Sequence, residues 1–184
     1  MSATIDASSI CNELKAPLIE SEGRMFDVDI TNAETDADRW EMPQRAAAAT
    51  VEAHNRHKGD ILVFLPGQGE IERCQQLLGS SLQPTRVLPL YGNLPTEQQR
   101  KAIAPSREGE RKVVLATPIA ETSITIEGVR VVVDSGLCRQ MVFDARTGLS
   151  HLETVRISMD MAAQRSGRAG RVAEGVCYRL WTKA

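Results

Sequence analysis

The sequence predicts an α/β domain, a parallel sheet flanked by helices with one β-hairpin inserted near its end. Three observations carry this. Short, largely apolar runs recur from residue 59 onward, among them Ile61–Leu65 (ILVFL), Lys112–Ala116 (KVVLA) and Val129–Asp134 (VRVVVD). Such runs mark strands buried on both faces, the environment of a parallel sheet. Segments with helical spacing separate them, so successive strands return in one direction. Past residue 137 the rhythm breaks: turn-prone Arg146-Thr147-Gly148 lies between Phe143-Asp144 and His151–Val155, as in a hairpin.

Taken in order, residues 1–35 read as a lead-in in which Met25–Ile30 (MFDVDI) alternates like a half-buried strand. Residues 32–42 are polar and acidic, a loop. Pro43 suits the first turn of a helix, where its missing N–H is no loss. Ala46 to Ala49 and Val51 continue that helix until Gly59 ends it. The strand Ile61–Leu65 is broken by Pro66-Gly67, and the next helix sets Ile71, Cys74 and Leu78 on one face with Gly79 near its end. Arg86–Leu90 is a strand, Pro95–Ile103 a helix opened by Pro95, and Lys112–Ala116 and Val129–Asp134 two more strands. The hairpin occupies residues 138–157, Met159–Arg171 is a helix, and Val176–Leu180 is the last strand. Ligands of such sheets bind beyond the carboxyl ends of the strands.

The length of 184 residues suits one domain with a sizeable core. No apolar run approaches the ~20 residues that span a bilayer, and MSATIDASSI has neither the basic nor the apolar region of a signal peptide. Cys11, Cys74, Cys138 and Cys177 form no CxxC pair. They read as free thiols of a reducing, cytoplasmic compartment. His54 and His57 have no third ligand near them, so an exposed helix face is expected and no metal site. Trp40 and Trp181 read as packing residues. Residues 1–99 hold 8 Lys/Arg against 15 Asp/Glu, and residues 100–184 hold 14 against 9. Either the second half meets an anion, or the asymmetry belongs to two solvated faces. Aromatics at 4% argue against a platform of rings that stacks bases.

The segment Gln164-Arg165-Ser166-Gly167-Arg168-Ala169-Gly170-Arg171 carries the sharpest chemistry. Gln164, Arg168 and Arg171, at i, i+4 and i+7, share one helix face. Two guanidiniums on adjacent turns repel unless an anion lies between them, and a planar guanidinium suits phosphate. Gly167 and Gly170 each cost roughly 1 kcal/mol against Ala in a helix, which points to close backbone approach. Residues 116–128 (ATPIAETSITIEG) follow a buried strand and hold several hydroxyls. Either this loop offers free N–H groups and Thr117 to a phosphate, or it is an ordinary Thr/Ser-rich connection.

Together these two segments resemble the DEAH-box helicases of superfamily 2, in the patterns ATxIAETSxTIxGVxxVVDSG and QRxGRAGR. Leu62–Gly67 looks like that family's motif IV, and Tyr91–Pro95 with Glu97–Arg100 like its motif IVa. Residues 143–148 stand where the family carries a hairpin. Met1-Ser2-Ala3-Thr4 matches motif III, and SEGRMFDV is similar to the bacterial HrpB branch. The resemblance covers nearly the whole chain and implies a RecA-like (P-loop NTPase-type) fold. Residues 1–24 would be the end of a first RecA-like domain and a linker, and residues 25–184 the second RecA-like domain.

The resemblance implies an ATP-dependent RNA helicase working with ATP and Mg2+ on single-stranded RNA or DNA, partnered by the upstream RecA-like domain and by no membrane. Arg168 and Arg171 would be arginine fingers on the γ-phosphate, and Gln164 would hold the phosphate or the attacking water. Thr125, Glu127 and Ile103 would lie near the nucleotide. Ser2 and Thr4 would couple hydrolysis to domain motion. Thr117, Thr122 and Arg165 would meet the nucleic acid, and the hairpin would be a wedge or guide. Two positions depart from the family: Pro118 replaces the usual Asn, and Ile103 stands where many relatives place a Phe over the adenine. Neither GxxxxGK[ST] nor DExH occurs. The Lys that reaches the phosphates and the acid that holds Mg2+ would therefore belong to the first domain, and this chain alone is expected to be inactive. One rival reading is a non-catalytic scaffold that binds nucleic acid or protein. Another is a double-stranded DNA translocase.

Overall fold

The structure, a computed structural model, describes residues 7–19, 26–122 and 124–183. Ser2, Thr4 and Met25 lie outside the described residues. The elements run α1 (Ala7–Leu14), β1 (Val28–Asn32), α2 (Met42–Arg56), β2 (Asp60–Phe64), α3 (Gln68–Leu78), β3 (Arg86–Leu90), α4 (Thr96–Ile103) and β4 (Lys112–Ala116). Then come α5 (Ile119–Thr122), β5 (Val129–Asp134), the hairpin strands β6 (Leu137–Asp144) and β7 (Leu149–Arg156), α6 (Met159–Gly167), a 3-10 turn (Arg168–Gly170) and β8 (Gly175–Arg179). Six strands form one sheet in the order β1-β8-β5-β2-β4-β3, with every pairing parallel. This is the predicted α/β architecture. The helix α1 differs from the expected lead-in, and β1 begins three residues later than the alternation suggested.

The central strands show why the apolar runs become strands. Odd-numbered Ile61, Val63, Val113, Leu115, Val131 and Val133 enter one core layer with Ala46 and Ala53 of α2 and Ile71, Cys74 and Leu78 of α3. Even-numbered Leu62, Phe64, Val114, Ala116 and Val132 enter the other, with Ala102, Ala120, Ala169 and Cys177. A pleated strand sends alternate side chains to opposite faces, so a run that is apolar at every position needs cover on both. Burial of each Val, Leu or Ile is worth about 1.5–3 kcal/mol. The predicted face of α3, Ile71, Cys74 and Leu78, is the one that is buried. Burial pushes the Cys74 and Cys177 thiols up to about 12, which makes them unreactive.

Charged residues are also accommodated inside this core, Lys112 and Asp60 among them. Lys112 is almost wholly buried, and its Nζ donates to the carbonyls of Ala102 and Ala104 at the end of α4. A cation there answers the carbonyls that a helix terminus leaves unpaired. Asp60 beside it accepts from the Lys112 N–H at 3.0 Å and from the Ser106 hydroxyl.

The hairpin stands apart as its own two-stranded sheet, in register from Leu137↔Arg156 to Asp144↔Leu149. Its turn closes because Asp144 accepts from the Arg146 and Gly148 N–H groups, with Gly148 at φ +67°. Trp40 does not pack as the sequence suggested: it is 78% exposed, under the Arg39 guanidinium. His54 and His57 point to separate partners, Thr85 at 2.9 Å and the Tyr178 hydroxyl at 2.7 Å.

The close backbone approach expected of the paired glycines occurs at Gly170. Its carbonyl accepts from the Phe26 N–H at 2.8 Å, and a Cβ there would stand 2.4 Å from the Phe26 carbonyl oxygen. Because the obstacle is backbone, it cannot rotate away. Gly170→Ala is expected to cost about 1–3 kcal/mol of stability, the range for overpacking, read as a lower urea midpoint at unchanged slope.

Candidate functional site

Four segments meet at the carboxyl edge of the sheet: the end of β2, the loop after β4, the end of β5, and α6 with its 3-10 turn. The loop after β4 begins at Thr117, whose N–H donates to the Leu90 carbonyl at 3.1 Å. That donor is committed to the neighbouring strand, so only the Thr117 hydroxyl remains to meet a ligand. Pro118 opens the single turn α5, in which Ala120 and Glu121 donate to the carbonyls of Thr117 and Pro118. The first N–H groups of a helix have no partner within it, so proline is at home where an Asn was expected. Thr122 ends this turn.

Helix α6 starts at Ser158, whose hydroxyl accepts from the Met161 N–H at 3.2 Å as an N-cap. It was expected to run to Arg171. It stops at Gly167, and Arg168–Gly170 tighten into a 3-10 turn. The three side chains nevertheless differ in exposure: Gln164 is half-buried, Arg168 is 5% exposed, and Arg171 is exposed.

The reason lies in the partners of Arg168. Its Nε and Nη2 donate to the Glu121 carbonyl, and its Nη1 donates to the Ile124 carbonyl at 2.6 Å. The loop after β4 thus folds its carbonyl dipoles onto the cation. A guanidinium has five N–H donors. Three are used among the described residues, which leaves two to donate to an anion. Burial, and then the nearby Arg171 charge, lower the Arg168 pKa to about 10. An anion placed between the two arginines would relieve the second cause. Arg171 itself donates to the Thr125 hydroxyl at 3.1 Å. The structure thus joins Arg168, Arg171 and Thr125 at one corner. Glu127 lies exposed farther along the same loop, and Ile103 is half-buried against the even-numbered core layer.

Arg165 requires a correction. Expected at the nucleic-acid face, it is 0% exposed. Its Nε donates to Glu121 Oε2 at 3.1 Å, and its Nη1 donates to Asp134 Oδ1 at 2.8 Å and to the Leu137 carbonyl at 3.2 Å. The guanidinium lies over the Phe64 ring, 4.9 Å from its centroid. Burial pushes the Asp134 carboxyl up, and Arg165 opposes that shift. Glu121 and Asp134 are the site residues that sequence reasoning missed. The available signal was Asp134 itself: a carboxylate ending a strand buried on both faces needs a cation, and Arg165 had been assigned elsewhere.

Removing one partner of a buried ion pair leaves the other uncompensated. Arg165→Ala is expected to lower the free energy of unfolding by about 3–5 kcal/mol. Arg171→Ala, on the exposed side of the same turn, should change it by no more than about 0.5 kcal/mol. Denaturant titration of both variants checks the contrast.

Comparison with known proteins identifies the family. The chain matches the helicase conserved C-terminal domain family over residues 44–173. It is 46% identical over 185 residues to the ATP-dependent RNA helicase HrpB of Escherichia coli (strain K12), covering 100% of this chain and 23% of that protein. It is 42% identical over 194 residues to the pre-mRNA-splicing factor ATP-dependent RNA helicase prp22 of Schizosaccharomyces pombe, covering 100% of this chain and 16% of that protein. A crystal structure of the Escherichia coli DEAH/RHA helicase HrpB superposes with a TM-score of 0.89 at 45% identity, covering 100% of this chain and 24% of that one. The chain spans about a quarter or less of the length of these relatives. With its parallel sheet and the sequence patterns that run through the carboxyl edge, the chain belongs to the family of helicase conserved C-terminal domains.

Proposed function

We propose that residues 25–184 form the second RecA-like motor domain of an ATP-dependent RNA helicase, and that residues 1–24 are the end of the first domain and a linker. The observation that carries this reading is the corner where Arg168, Arg171 and Thr125 converge, with two Arg168 N–H groups unused among the described residues. ATP occupies the cleft between this domain and the upstream one. When the cleft closes, Arg168 and Arg171 meet the γ-phosphate, and Gln164 orients the attacking water. The water oxygen bonds to phosphorus as the bond to the β-phosphate oxygen breaks. Negative charge then grows on oxygens that the two guanidiniums face. Arg171 leaves the Thr125 hydroxyl to do this. Ile103 offers the base an apolar neighbour without an aromatic ring, so discrimination among nucleotide bases is weak.

Among the described residues, no three His, Cys, Asp or Glu side chains converge as metal ligands. In this reading Mg2+ would be held mainly by the upstream domain, where it would offset the charge of the phosphates. Thr117 and Thr122 lie on the loop that meets the nucleic-acid backbone, and the hairpin guides or separates the strand. Backbone contacts carry no base information, so the protein acts with little sequence preference. Among the described residues no helix is long and apolar enough to cross a membrane.

The test is RNA-stimulated ATPase activity of the full-length protein against its Arg168→Ala variant. Loss of an arginine finger is expected to lower turnover on the order of 10³-fold or more while nucleotide still binds. Residues 1–184 alone should show no turnover. An Arg168→Ala variant with unchanged turnover would move the scaffold reading to the front.

A further inference from the structure

Arg165 is sealed from solvent, so it contacts neither nucleotide nor nucleic acid, yet it touches every segment of the site. It rises from α6, three residues ahead of Arg168. Its guanidinium binds Glu121 of the loop after β4, Asp134 at the end of β5 and the Leu137 carbonyl at the root of the hairpin. Glu121 is the shared node: its carboxylate takes Arg165, and its backbone carbonyl takes Arg168. The loop that carries Thr117 and Thr122 is thus held to the arginine turn from two sides.

We propose that Arg165 is a positioning residue which, through Glu121 and Asp134, sets the Arg168 turn against the Thr117–Thr122 loop and the hairpin root, so that nucleic-acid engagement is transmitted to the phosphate corner. This rests on the motor reading above. The physical reason is directional. A planar guanidinium that donates to two carboxylates and a carbonyl restricts the arrangement of the three segments, and a shift of α5 must displace either Arg165 or the Glu121 carbonyl that Arg168 grips. An ammonium has no such fork. Arg165→Lys keeps the charge and loses the geometry. Glu121→Gln keeps the shape and an acceptor oxygen but loses the charge.

The experiment measures ATP turnover of the full-length protein with and without an unstructured oligouridylate, for wild type, Arg165→Lys, Glu121→Gln and the double variant, each checked for a cooperative thermal melt. The expected result is a stimulation ratio that falls about tenfold in either single variant. The half-saturating RNA concentration should stay near the wild-type value, and the double variant should be no worse than the poorer single one. Glu121→Gln decides the matter if Arg165→Lys does not fold. The inference is overturned if the ratio is retained, if the loss arises from weaker RNA binding, or if stimulated and unstimulated turnover fall by the same factor, as a merely structural residue would give. A wild type that RNA fails to stimulate overturns the motor reading and this inference with it.

Discussion

A guanidinium enclosed at the edge of a sheet must be answered by whatever strands end there. Arg165 is answered by Asp134 from β5 and Glu121 from the loop after β4, with the Phe64 ring of β2 beneath it. Two parallel strands therefore deliver their last side chains, and the turn that follows a third delivers its carboxylate, to one cation. Isolated burial of any of these charges would be prohibitive; together they fix where α5, α6 and the hairpin root lie relative to the sheet. The rest of the site inherits its geometry from this cluster.

Arg168 illustrates a second way to keep a cation inside a protein. Among the described residues it forms no ion pair; backbone carbonyls of Glu121 and Ile124 hold it, with the Glu121 carboxylate acting from farther off. Partial charges stabilise the guanidinium without neutralising it, so it keeps its attraction for a phosphate. The cost of burial appears in a pKa lowered to about 10, still far enough above neutrality to leave the group charged. Arg171 and Thr125, on the exposed side, complete a corner that is cationic and already oriented.

Much of this was legible in the sequence, for physical reasons. The strands Arg86–Leu90, Lys112–Ala116 and Val129–Asp134 were read to the residue, because a two-sided apolar environment leaves a continuous run as its trace. The convergence of Arg171 with Thr125 was open to motif reasoning, since both belong to patterned segments. What could not be read was direction. The spacing of Gln164, Arg168 and Arg171 did not say that Arg168 would be buried, because the carbonyls that hold it lie more than 40 residues away in sequence. Arg165 was expected at the nucleic acid from the family resemblance; only the three-dimensional arrival of Asp134 and Glu121 turns it inward. Trp40 erred the opposite way, since hydrophobicity alone does not say whether a loop residue finds anything to cover it.

The contact between Gly170 and Phe26 has a mechanical meaning. Phe26 precedes β1, an edge strand whose five residues pair in parallel register with β8. Tension arriving from the upstream side along β1 would load those hydrogen bonds in shear, sharing the force among them, instead of peeling them one at a time. Among the described residues of that entry, the first bond across to the arginine turn runs from the Phe26 N–H to the Gly170 carbonyl, on the same short turn as Arg168. A pull on the entry strand would therefore reach the arginine turn through one hydrogen bond as well as through the β1–β8 ladder.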